Sequence, residues 1–153
     1  MTTAEPTPTS AAGAATTVRL VRRLPAHRDV VFRAWTDAER LAHWFWPPRF
    51  VTEVRVDLRV GGTFRIRSTG LPAGENMGVV GRFLEVAVPE RVRYTWRWEG
   101  EDDETVVTVD FREAGDGTEV ELVHEGFASA DERDNHAQGW IDCLDRLVTT
   151  IRG

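Results

Sequence analysis

The chain contains no lysine; all 19 of its basic side chains are arginine. Codon bias of a GC-rich genome accounts for that better than a binding device, because the formal charge is −6. Phosphate binding calls for a basic patch, so no nucleic-acid partner is expected. Cys143 is the single cysteine, which excludes an intramolecular disulfide and fits a reducing compartment. No apolar run approaches a membrane span, and no membrane partner is expected. The opening MTTAEPTPTSAAGAATT lacks both a basic start and an apolar h-region, so it is not a secretory signal. Its Thr, Ala and Pro content predicts a disordered tail over residues 1–16, followed by one domain over 17–153. A cytoplasmic protein is the expectation. His27, His43, His124 and His136 lack the spacing of converging metal ligands, so neither metal nor cofactor is expected. Nucleophile-elbow and phosphate-binding glycine motifs are also missing.

What is present is alternation. Thr17–Leu24 (TVRLVRRL) reads as a strand stopped by Pro25. His27–Thr36 predicts a short helix burying Val31, Ala34 and Trp35. Thr36-Asp37-Ala38-Glu39 has capping-box spacing and predicts a second short helix to His43 or Trp44. Six strands follow: Phe50–Leu58, Thr63–Ser68, Met77–Val88, Arg91–Trp98, Thr105–Phe111 and Thr118–Gly126. Gly61-Gly62 is the hairpin signal between the first two, Leu71–Gly74 is a turn, and a bulge is expected near Gly78 or Gly81. In RVRYTWRW the separation is clean, with Val92, Tyr94, Trp96 and Trp98 on one face and Arg91, Arg93, Thr95 and Arg97 on the other.

From Ser129 to Arg152 the period changes. Ala137, Trp140, Ile141, Leu144, Leu147, Val148 and Ile151 recur at three and four, the mark of an amphipathic helix capped by Ser129. The order is therefore β-α-α-β-β-β-β-β-β-α, an α+β fold in which a curved antiparallel sheet wraps around a long C-terminal helix. The sheet is apolar on one face, and only this helix is long enough to cover it. Gly139 interrupts the helix at a cost of roughly 1 kcal/mol, which implies either a close backbone approach or a space left open.

Five segments, DVVFRAWTDAERLAHWF, DLRVGGTFRI, GRFLEVAVPERVRYTW, TEVELVHEGF and HAQGWIDCLDRL, occur in this order. Together they resemble the activator of heat-shock protein 90 ATPase homologue family, of the START-like (SRPBCC) superfamily, in its bacterial single-domain form. The resemblance implies a helix-grip fold with an apolar cavity between sheet and C-terminal helix.

The residues themselves offer candidates for lining such a cavity. A half-open grip is hard to fill completely, and aromatic side chains on its inner face serve either as core or as cavity wall. The candidate ligand-binding residues are Trp46, Phe64, Met77, Phe83, Tyr94, Trp96 and Trp98, with His124, His136, Trp140 and Leu144 facing them. Trp44 reads as a structural plug and Trp46, beside two prolines, as a rim residue. Three functions are open. The first is a binding module for a small hydrophobic or aromatic ligand, acting as a monomer or weak homodimer. The second is a polyketide cyclase or aromatase-like enzyme, with His124 and Tyr94 as weak acid–base candidates. The third is a chaperone-associated factor, which the family resemblance alone suggests.

Overall fold

Alternating apolar and charged side chains need a sheet with one dry face, and seven such segments build it. A computed structural model describes residues 16–152, apart from 73 and 75. The strands are β1 (Thr17–Leu24), β2 (Thr52–Val56), β3 (Thr63–Ser68), β4 (Gly78–Ala87), β5 (Arg91–Trp98), β6 (Thr105–Ala114) and β7 (Gly117–Glu125). All neighbours are antiparallel, in the order β1-β7-β6-β5-β4-β3-β2. The helices are α1 (Arg28–Thr36), α2 (Ala38–Trp44) and α3 (Ala130–Arg152). Residues 1–15 of the expected tail lie outside the described residues, as does part of the expected turn at 71–74.

The strand order explains how the dry face is covered. Because β1 and β2 lie at opposite edges, the segment joining them has to cross the sheet. That segment carries α1 and α2, so the long helix does not cover the sheet alone, contrary to the expectation above. Phe32 packs edge-on against Phe111 at 5.2 Å, and Trp35 against Trp44 at 5.0 Å. Trp44 is fully buried, and its indole donates to the Ala34 carbonyl at 2.9 Å. Phe32 joins the expected Val31, Ala34 and Trp35 in the core, since positions 31, 32 and 35 share one helix face.

Several local expectations are corrected. Asp37, not Thr36, caps α2 and accepts from the Arg40 N–H at 3.2 Å. The Thr36 hydroxyl still belongs to α1 and donates to the Phe32 carbonyl. The register shift in β4 falls between Phe83 and Glu85, not at Gly78 or Gly81. Gly81 has another reason to lack a side chain: a Cβ there would come within 2.2 Å of the Phe64 ring. Gly61 and Gly62 exchange backbone hydrogen bonds with Phe83, which ties the loop after β2 to β4. In β5, Thr95 is buried among the charged positions because its hydroxyl accepts from the Arg82 N–H at 2.9 Å.

The solvent face pairs its own charges. Arg91 meets its cross-strand neighbour Asp110 at 2.6 Å, and Arg65 and Arg67 both reach Glu99. Hydrogen bonding from Arg65 holds the Glu99 carboxyl below its ordinary range. Exposed pairs of this kind stabilise by a few tenths of a kcal/mol each.

Along α3 the Ser129 hydroxyl accepts from the Glu132 N–H, as its capping role requires. Trp140, Cys143, Leu144 and Leu147 are buried, while Ala137, Ile141, Val148 and Ile151 are half-buried. Cys143 donates its S–H to the Phe45 carbonyl at 2.8 Å, and burial pushes its thiol up to about 12. Among the described residues, no helix is long and apolar enough to cross a membrane.

Candidate functional site

Gly139 resolves the choice posed by the sequence in favour of open space. A Cβ built there would meet no atom within 4 Å. The glycine opens onto a cavity of about 360 Å³ between α3, the end of β5 and the chain at 45–50. Phe45, Trp46, Phe50 and Met77 form one side, and Trp96, Trp98 and Trp140 another. Four polar side chains, Asn135, His136, Asp142 and Arg146, also reach the wall. Gly139→Ala should therefore stabilise the fold by about 1 kcal/mol, raising Tm by a few degrees. A lower Tm in a thermal melt would show that the backbone is approached closely after all.

The six tryptophans form one continuous file. Centroid separations run 5.0 Å from Trp44 to Trp35, 6.0 Å to Trp140, 5.4 Å to Trp96, 5.5 Å to Trp98 and 6.3 Å to Trp46. The inner part is core and the outer part is cavity wall. Trp46 and Trp98, both on the wall, lie parallel within 6°.

Two histidines sit beside this file, and indole chemistry sets their tautomers. An indole N–H only donates, so the ring nitrogen it meets has to be unprotonated. Trp140 Nε1 donates to His124 Nδ1 at 2.9 Å, leaving the proton on Nε2, which donates to Thr105 Oγ1 at 2.6 Å. The Thr105 hydroxyl passes its own proton to the Trp96 carbonyl. His124 is wholly buried, and that burial, with a smaller effect from His136, pulls its pKa down to about 3. His136 mirrors the arrangement: Trp98 Nε1 donates to its Nε2 at 2.9 Å, and its Nδ1–H donates to the Glu132 carbonyl. Both ring nitrogens of each histidine are engaged.

Arg146 is held differently. Nε donates to the Trp44 carbonyl at 3.0 Å and Nη2 to the Phe45 carbonyl at 2.7 Å, so its plane is fixed and α3 is tied to the chain leaving α2. Nη1 makes no hydrogen bond, and among the described residues no carboxylate pairs with this guanidinium. Trp96 Nε1 is likewise a buried donor without a partner.

Of the residues singled out in the sequence, Trp46, Met77, Trp96, Trp98, His136 and Trp140 meet around this cavity. Phe64, Phe83 and Tyr94 do not. They lie together farther along the groove, under α1 and α2, where the remaining void of about 20 Å³ has room for little more than a water. Trp35 Nε1 donates to the Tyr94 hydroxyl there, and burial raises the Tyr94 pKa. His124 and Leu144 are buried outside the cavity wall. Phe45, Phe50, Asn135, Asp142, Cys143 and Arg146 reach the wall without having been expected there. The helical signal was available, since 139, 142, 143 and 146 follow one another at three and four.

Solved structures share this fold. Protein CV1439 of Chromobacterium violaceum is 32% identical with a TM-score of 0.81, over 90% of this chain and 99% of that one. CalU16 of Micromonospora echinospora is 30% identical with a TM-score of 0.67, over 88% and 75%. PFC0360w, an HSP90 activator of Plasmodium falciparum, is 23% identical with a TM-score of 0.70 over 89% and 96%, a likeness of fold alone. No curated protein matches the chain. The sheet closed by a C-terminal helix is the helix-grip fold of these START-like neighbours. The model of the family described as Activator of Hsp90 ATPase homolog 1-like protein matches residues 25–152, a span that includes all five segments quoted from the sequence, and the chain belongs to that family.

Proposed function

We propose that this protein binds a small hydrophobic or aromatic molecule in the cavity beside Gly139. One observation carries the reading: a helix gives up stability at Gly139, and the space so left is walled by Trp46, Trp96, Trp98 and Trp140. Apolar clefts with a few polar groups are the usual form of a small-molecule site. Filling the opening tests it. Titration with naphthalene derivatives should quench tryptophan emission in the wild-type protein, and Gly139→Leu should weaken that binding at least tenfold while the protein stays folded. Equal binding by Gly139→Leu would place the ligand elsewhere, and no binding by the wild type would remove the reading.

A cyclase-type reaction would need a proton carrier facing the cavity. Tyr94 and His124, the candidates named from the sequence, lie outside its wall. A chaperone-associated role draws support from family membership, while the charged sheet face that would serve it is largely occupied by its own ion pairs.

A further inference from the structure

We propose that the ligand is a small planar aromatic carboxylate, with its ring against Trp46 and Trp98 and its charge on Arg146. The inference rests on the cavity being a binding site and adds the chemical class.

Three observations carry it. Two donors on residues of the wall have no protein partner among the described residues. Arg146 Nη1 has no hydrogen bond, and Trp96 Nε1 is buried without a partner. The groups that might have served as acceptors are already engaged or lie in water. His136 Nε2 accepts from Trp98, and the Cys143 sulfur accepts from Arg146 Nη2 at 3.5 Å. Asp142 is exposed and takes the Gln138 amide at 3.1 Å. A ligand that supplies acceptors therefore meets donors left without a protein partner. Secondly, Arg146 is the only cation of the wall among the described residues, and two backbone carbonyls hold it rigid. A fixed guanidinium with a free nitrogen loses little freedom on taking a carboxylate oxygen. Thirdly, Trp46 and Trp98 stack on each other within 6°, and the flat aromatic surface this pair presents to the wall favours a planar ring over a flexible chain.

The test compares 2-naphthoate with its neutral counterpart 2-naphthalenemethanol by tryptophan quenching at neutral pH. The carboxylate should bind about tenfold or more tightly than the alcohol. Arg146→Gln should remove that difference, and Arg146→Lys should keep most of it. Because Arg146 also braces the chain at Trp44 and Phe45, a second variant reads the same field without touching the brace. Asp142→Asn should tighten naphthoate severalfold and leave the alcohol unchanged. If both compounds bind alike, or the preference survives Arg146→Gln, the carboxylate assignment is wrong and the apolar site stands. If neither binds, the site itself is lost, and the assignment with it.

Discussion

Acidification from pH 7 to pH 4 should cost the fold about 3 kcal/mol through His124 alone. The side chain is sealed between Trp140 and Thr105, and its pKa falls from the ordinary 6.5 to about 3. The native state therefore refuses a proton that the unfolded chain accepts. Above 6.5 both states are neutral and stability is complete. Below it, the unfolded state gains about 1.36 kcal/mol per pH unit until the folded group also titrates near 3. Glu99 and Glu121, whose carboxyls hydrogen bonds from Arg65 and Arg112 hold low, lose support in acid as well. A comparison with His124→Gln cancels that shared part. In urea unfolding at the two pH values, the variant should lose about 3 kcal/mol less than the parent. Parallel losses in both proteins would mean that His124 is not held neutral.

Trp140→Ala should be the most damaging single truncation in α3, at about 4 kcal/mol. The indole stacks on Trp35 at 6.0 Å, meets Phe45 and Trp96 at 5.8 and 5.4 Å, and is 3% exposed. Its removal leaves a hole between the sheet, α1 and the chain leaving α2, and adds an unpaired acceptor at His124 Nδ1. Trp140→Phe separates the two losses. It keeps most of the ring contact, so its cost of about 1–3 kcal/mol reflects chiefly the missing N–H donor. With that donor gone, Nδ1 is free to take a proton, and the acid sensitivity described above should shrink. A Phe variant with wild-type stability and a wild-type pH profile would contradict the hydrogen bond.

The order and type of strands and α-helices were legible because each depends on local periodicity; the 3-10 turn at Pro48–Phe50, inside which the expected strand began, was not. Period two marked every strand, and the three-and-four spacing marked α3 to within a residue. The role of α1 and α2 was not legible, since it follows from β1 pairing with β7 at one edge while β2 ends at the other. Pairing across the full chain length leaves no local trace. The same limit applies to the cavity. Alternation told which face Tyr94, Trp96 and Phe64 share, but not how far along a curved groove each one lies. Phe64 and Tyr94 therefore went to the filled end and Trp96 to the open one. Arg146 escaped notice for a different reason: a charge on a helix reads as solvated, and the two carbonyls that draw it inward belong to residues about a hundred positions earlier.

The file of indoles running from Trp44 to Trp46 makes the protein a single optical unit. Neighbouring rings 5.0 to 6.3 Å apart exchange excitation faster than they emit, so light absorbed at the sealed end is felt at the open one. A molecule that quenches Trp46 or Trp98 should then dim the inner tryptophans as well, and a quenching limit of one or two rings in six would show that the file does not act together.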